Sequence, residues 1–133
     1  MTAFYAKGAA RVWRGTINWE TVNIKAALVK NTYVQDLANH EFYTDISDYV
    51  TSTPVALTGK IVSGLTFDAD DVTFVAVPVG DVCEALVLYV DTGSAATSPL
   101  LLYIDDPAGF PFTGNGGSQL VQWSNGAYKI VSL

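Results

Sequence analysis

The stretch EALVLYVD, residues 84–91, decides the fold that the rest of the sequence must fit. Its central part, ALVLYV, is apolar at both alternating positions, and a strand of this kind is normally covered on both faces. VTFVAV (72–77) has the same character. The two stretches therefore predict central strands that are buried between two layers.

Further apolar stretches, separated by turn residues, fill the chain on either side. The other strand candidates are VNIKAALV (22–29), TPVALTGKIVSG (53–64), LTFDADDVTFVAV (65–77), LLLYID (100–105), SQLVQWS (118–124) and YKIVSL (128–133). Asn125-Gly126 is expected to form a hairpin turn between the last two, because both residues tolerate positive φ. About seven strands without interposed helices predict an antiparallel β-sandwich or a jelly-roll-like barrel.

The N-terminal part is predicted to be a short helix over residues 3–14. Gly15 provides a C-terminal stop, and apolar residues recur near helical spacing at Phe4, Tyr5, Ala9, Val12 and Trp13. Residues 31–50 read as a long polar loop with helical turns. No repeat, linker or low-complexity segment interrupts the chain. We therefore expect one all-β domain, residues 1–133, with a short N-terminal helix.

Composition excludes several classes of function. Half of the 133 residues are hydrophobic and 15% are charged, which is typical of a packed domain. The net charge of −6 and the lack of a large Lys/Arg cluster disfavour binding to nucleic acid or acidic membranes. The single cysteine, Cys83, is expected to be a small buried hydrophobe. The N-terminus lacks an apolar signal-peptide core, and no apolar run is long enough to cross a bilayer.

Asp91-Thr92-Gly93, followed by Ser94, matches the active-site pattern of aspartic proteases at the end of an apolar strand. Such an enzyme needs two facing carboxylates that share one proton, so this chain would have to dimerise. The segment after Gly93 lacks the apolar-apolar-Gly strand that such enzymes thread beneath the catalytic loop. A strand-closing turn is the simpler interpretation.

Acidic residues and the only histidine raise the question of a metal site. His40, Glu41 and Asp45 lie close in sequence, but the second histidine of a zinc helix is absent. Asp68, Asp70 and Asp71 form an acidic group that is a candidate for calcium, although the spacing of an EF-hand loop is missing. A solvated turn between two strands explains this group more simply. No nucleotide-binding loop occurs, so no cofactor is expected.

Three aromatic residues are candidates for an interface or for binding a sugar ring. Trp19, Trp123 and Tyr128 would form a flat platform if their rings were exposed, as in many β-sandwich binding modules. Core packing is the alternative role for all three. Exposure of the rings decides between the two.

Four segments carry a resemblance to a known family. They are INWETVNIKAALVKNTYVQDLANHEFYTDIS (17–47), LTGKIVSGLTFDADDVTFVAV (57–77), EALVLYVDTGSAATSPLLLYID (84–105) and NGGSQLVQWSNGAYKIVSL (115–133). Together they resemble small structural proteins encoded by tailed bacteriophages. The stretch TGSAATSPLL and the pattern of NGG, Trp and NG recur in that family as units.

The resemblance implies a non-enzymatic virion component that is made in the host cytoplasm. A capsid decoration or cement protein is the favoured expectation, and a tail, neck or fibre-base component is the alternative. The implied partners are the major capsid protein or other virion proteins, and a homo-oligomer, a trimer or a dimer, is expected. A surface carbohydrate-binding module and a dimeric aspartic protease remain as alternatives of other classes.

Overall fold

The computed structural model describes residues 1–124, 126 and 129–132. The elements are β1 (Thr2–Phe4), α1 (Ala6–Trp13), β2 (Ile24–Lys30), β3 (Val50–Ala56), β4 (Ile61–Ser63), β5 (Thr66–Asp68), β6 (Val72–Phe74), β7 (Val82–Val90), β8 (Leu100–Ile104), β9 (Phe112–Thr113), β10 (Gln119–Val121) and β11 (Val131–Ser132). Short 3₁₀ turns span Tyr43–Asp45, Ser47–Tyr49 and Ala95–Thr97. The fold is all-β with one short N-terminal helix, as the sequence predicts.

The main sheet has the strand order β1-β8-β7-β2-β3, and β9 pairs with the start of β7. Its two central strands are β7 and β2, which run antiparallel with Ile24 opposite Val90 and Leu28 opposite Leu86. From Ala85 onwards every residue of β7 is buried. The prediction that ALVLYV is a central strand covered on both faces is confirmed.

Two small sheets cover one face of the main sheet. One contains β10 and β6, and the other has the order β11-β5-β4. Leu86 and Leu88 of β7 share a buried cluster with Phe67 of β5, Phe74 of β6 and Val121 of β10. We call this cluster the aliphatic side. The arrangement of large and small sheets across this cluster is sandwich-like.

The opposite face of the main sheet is covered by irregular chain. Val87 and Tyr89 of β7 pack there with Tyr5, Tyr33 and Ile46, which lie outside the strands. We call this second cluster the tyrosine side. Because successive residues of β7 point to opposite faces, one strand supplies both clusters.

Helix α1 is fixed closely against the main sheet at Gly8. A Cβ atom at this position would lie 2.1 Å from the carbonyl oxygen of Leu100, so only glycine fits. The helix ends where Gly15 adopts a left-handed φ of +74° and its N–H donates to the Val12 carbonyl. The Arg11 guanidinium lies 2.7 Å from the Glu41 carboxylate and ties the helix to the segment 31–49.

The predicted start of the helix at residue 3 is wrong. Ala3 and Phe4 pair with Tyr103 and Leu102 in strand β1, and α1 begins only at Ala6. Strand β8 has an edge with which residues 2–4 pair. This long-range pairing outweighs the helical spacing of the apolar residues.

The prediction that VTFVAV is a second central strand is also wrong. Strand β6 ends at Phe74 and belongs to a sheet of two strands. Thr73 and Val75 are exposed, and Ala76 has a positive φ of 51° that ends the extended run. Of this stretch, Val72, Phe74 and Val77 contribute to the aliphatic side.

The expected hairpin between SQLVQWS and YKIVSL is not the pairing that the described residues make. Val121 of β10 lies opposite Val72 of β6, whereas Val131 of β11 lies opposite Phe67 of β5. The two segments therefore belong to different small sheets. Asn125 of the predicted turn lies outside the described residues.

Candidate functional site

The aspartic-protease-like stretch closes strand β7. The Asp91 carboxylate accepts a hydrogen bond from the Gly93 N–H at 2.8 Å and pairs with the Lys25 ammonium at 2.7 Å. The side-chain bond from Lys25, followed by the Gly93 N–H, holds the pKa of Asp91 below its ordinary value. Asp91 is therefore an ionised, locally bonded carboxylate.

The residues after Asp91 form a network of hydroxyl groups. The Ser98 hydroxyl is buried, donates to the Ser94 carbonyl at 2.8 Å and accepts from the Thr92 N–H at 3.1 Å. The Thr92 and Thr97 hydroxyls lie 2.7 Å apart. These bonds fix the turn in one conformation, and they favour the interpretation of Asp91-Thr92-Gly93 as a strand-closing turn.

A shallow groove of about 250 Å³ lies beside this turn and is lined in part by Lys25, Tyr43, Tyr89 and Asp91. The Tyr43 and Tyr89 rings lie 4.7 Å apart between centroids. A protease site would require a proton shared between two carboxylates. In this groove the partner of the Asp91 carboxylate is instead the cation of Lys25.

The acidic group at 68–71 connects different parts of the aliphatic side. The Asp70 carboxylate accepts from the Thr58 hydroxyl at 3.1 Å, and the Asp71 carboxylate accepts from the Trp123 N–H at 2.9 Å. The Trp123 indole N–H donates to the Asp70 carbonyl at 2.9 Å. Asp70 and Asp71, which follow Asp68 at the end of β5, thus connect the segments that contain Thr58 and Trp123. Within the described part of the chain, no group of three His, Cys, Asp or Glu side chains could hold a metal ion.

The candidate aromatic residues pack inside the molecule where the structure describes them. Trp19 and Trp123 are 9% and 6% exposed, and the Trp19 ring lies 4.7 Å from that of Phe67. Neither indole offers an open face to a sugar. Tyr128 lies outside the described residues. The tryptophan that is exposed is Trp13, at the end of α1.

His40 ends a buried chain of hydroxyl groups on the tyrosine side. The Tyr5 and Tyr33 hydroxyls lie 2.8 Å apart, and the Tyr33 hydroxyl lies 2.8 Å from His40 Nδ1. Burial raises the pKa of Tyr5 and raises that of Tyr33 to about 12, so both phenols keep their protons at neutral pH. The spacing of residues in the sequence does not indicate this hydrogen-bonded series, because Tyr5 lies 28 residues before Tyr33.

The neighbours of His40 in sequence have separate partners. The Glu41 carboxylate pairs with Arg11 and Lys7 of α1, at 2.7 and 3.5 Å. The Asp45 carboxylate accepts from the backbone N–H groups of Glu41 and Phe42. The stretch 39–45 therefore anchors the cover of the tyrosine side to α1 and does not converge on a common ligand position.

Three exposed aliphatic residues lie on the β4–β5 hairpin. Ile61, Val62 and Leu65 are large and exposed, and we call them the hairpin apex. Strand β4 is the edge of its sheet, and the outward-facing Val62 N–H is bonded to the Glu20 carboxylate at 3.2 Å. The hairpin is backed by Phe67, which is buried in the aliphatic side.

No protein-family model and no curated protein matches this chain. Among the described residues, no helix has the length and hydrophobicity needed to cross a bilayer. In the part of the chain that the structure describes, every buried side-chain nitrogen or oxygen has a hydrogen-bond partner.

Proposed function

We propose that the protein is a non-enzymatic structural component of a tailed-bacteriophage virion. In the specific form of the proposal it is a decoration or cement protein that stabilises the capsid by protein–protein contacts. The partners would be the major capsid protein or other virion proteins. The sequence resemblance supports the class, and the hairpin apex is the structural observation that carries the contact.

The hairpin apex has the character of a contact surface. Exposed edge strands normally carry charges or proline, which discourage unwanted pairing. Strand β4 carries Ile61 and Val62, whose side chains point to opposite faces of the hairpin, and Leu65 follows after Gly64 in the turn. Covering apolar surface contributes about 25 cal/mol per Å², so a partner that covers Leu65 and one face of the hairpin would gain binding energy there.

The apex is held rigidly, which lowers the entropy lost on binding. Strand β5 pairs with both β4 and β11. Phe67 anchors the hairpin from below, and the Glu20 carboxylate fixes the backbone of Val62 from the side. A partner would therefore meet an ordered surface.

The polar constellations favour a structural role. The carboxylate of Asp91 is paired with Lys25, and that of Glu41 is paired with Arg11. The hydroxyl groups of Tyr5 and Tyr33 bond to each other inside the tyrosine side. Each of these groups is used to hold segments of the chain together.

The first test is quantitative mass spectrometry of gradient-purified virions from the phage that encodes this chain. A copy number comparable to that of the major capsid protein is expected for a decoration protein. A small fraction of that number would overturn the capsid assignment in favour of the tail or neck. Absence from the virion would overturn the proposal as a whole.

The second test measures binding of the purified protein to capsids that lack it. Leu65→Asp places a charge in the hairpin apex and is expected to reduce binding strongly, since Leu65 is 67% exposed and its replacement leaves the core intact. Val79→Asp is the matched control, because Val79 is 78% exposed and lies outside the hairpin. Equal binding by the two variants would contradict the role of the apex.

A further inference from the structure

The end of helix α1 exposes an unusual pair of side chains. Trp13 is 80% exposed and Arg14 follows it at the helix end. Tryptophan and arginine are the residues most enriched at the energetic centres of protein interfaces. We propose that Trp13 and Arg14 bind the acidic surface of a second copy of this chain. This inference is independent of the virion assignment.

The charge distribution along the chain supplies the complementarity. Residues 1–14 contain Lys7, Arg11 and Arg14 and no acidic residue. Residues 15–133 contain the other four Lys and Arg residues and all thirteen Asp and Glu residues. All acidic residues therefore lie outside the N-terminal segment, and an unpaired cation exposed in that segment would be attracted to acidic groups of another copy.

Arg14 is the cation of this segment that is available to a partner. Lys7 and Arg11 are both paired with Glu41 in the same chain. In the described part of the chain, Arg14 forms no such ion pair. Exposed carboxylates that could receive it on a second copy include those of Asp48, Asp70 and Asp71.

The backbone of the helix that carries Trp13 is anchored at several points. Gly8 seats α1 against the Leu100 carbonyl, and Arg11 pairs with Glu41 and lies 5.2 Å from the centre of the Phe42 ring. The Thr16 N–H donates to the Arg11 carbonyl and closes the last turn. A helix held on such a support loses little backbone freedom when a partner covers its end.

The symmetry of the assembly follows from the two unlike surfaces. A contact between a basic aromatic patch and an acidic patch is heterologous, and repeating it gives a closed ring or an open chain. A ring of three would agree with one of the two states, trimer or dimer, that the resemblance implies. The contact also leaves the hairpin apex free for a different partner.

Sedimentation velocity over a concentration series tests the proposal with the full chain. The unaltered protein is expected to associate, and to associate less at roughly 1 M salt, where charges are screened beyond about 3 Å. Trp13→Ala and Arg14→Glu are each expected to weaken association by about tenfold or more. Lys30→Glu is the matched control, because it changes the net charge equally at a position outside α1.

Thermal unfolding accompanies the measurement, since both side chains are exposed and their replacement should leave the fold unchanged. A monomer at every concentration overturns the proposal. So does association that Trp13→Ala and Arg14→Glu leave unaltered, or that Lys30→Glu weakens equally. Binding of a monomeric protein to vesicles of anionic lipid through Trp13 would also overturn it and assign the patch to a lipid surface.

Discussion

The two faces of the main sheet are closed in different ways. The aliphatic side is closed mainly by strands, and apolar side chains such as Leu88 and Phe74 make up its buried cluster. The tyrosine side is closed by irregular chain, whose phenols bond to one another and to His40. Strands that cover a face satisfy their backbone N–H and C=O groups by pairing with one another. A loop that covers a face must find side-chain partners for its polar groups.

This difference determines how each side should respond to substitution. On the aliphatic side stability comes from the volume of buried hydrocarbon, so loss of volume should be the most damaging change. On the tyrosine side, a larger share of the stability depends on close contacts and on hydrogen bonds of defined geometry. Each of the following substitutions tests one part of that contrast.

Leu88→Ala is expected to have the largest effect. Leu88 is fully buried in the aliphatic side, so the change removes transfer free energy and leaves a cavity. We expect the free energy of unfolding in a denaturant titration to fall by about 2–5 kcal/mol. Leu120→Ala is the control, because Leu120 is 51% exposed and should change stability by less than about 0.5 kcal/mol. Similar losses for both would contradict the assignment of Leu88 to the core.

Gly8→Ala tests the close approach of α1 to the main sheet. Alanine normally stabilises a helix relative to glycine, by about 0.5–1 kcal/mol. Here the new Cβ would meet the Leu100 carbonyl at 2.1 Å, so we expect a net destabilisation of about 1–3 kcal/mol in the same titration. The sign of the change is therefore decisive, and a more stable variant would show that the helix is not seated as described.

Tyr5→Phe tests the hydrogen-bonded chain of the tyrosine side. It removes the hydroxyl that lies 2.8 Å from that of Tyr33 and changes little volume. We expect a loss of about 0.5–1.5 kcal/mol, which is the net worth of one hydrogen bond. A double-mutant cycle with Tyr33→Phe should show that the two substitutions are not additive in the free energy of unfolding. Tyr43→Phe serves as the control, and an equal loss there would indicate that phenol hydroxyls act generically.

The strands with continuous apolar sequence could be predicted because their pattern and their burial have the same origin. ALVLYV forms the predicted central strand, because a strand that is apolar at both alternating positions has to be covered on both faces. β1 and β9 carry no comparable pattern. They exist because the edges of β8 and β7 accept them, and such pairing between distant segments is invisible in a local window.

The candidate side chains show the same limit. Trp19, Trp123 and Trp13 are equally aromatic in sequence, yet the first two are buried and the third is exposed. Burial of Trp123 depends on Asp70 and Asp71, which are some fifty residues away in the chain and bond to it. The residue types that follow Asp91 predict a turn there. Its pairing with Lys25 required the register of β2 and β7.

The Lys25–Asp91 pair at the rim of the tyrosine side gives the smallest expected effect and a defined pH dependence. Both side chains are partly exposed, so the pair is expected to contribute less than about 1 kcal/mol. The pKa of Asp91 is lower in the folded protein than in the unfolded chain. Its contribution is therefore present above about pH 4 and is lost as the pH falls through the folded pKa. Stability curves of the unaltered protein and Asp91→Asn should thus converge at acidic pH and separate towards neutral pH. A constant difference at every pH would mean that the turn geometry, and not the charge of Asp91, holds this rim closed.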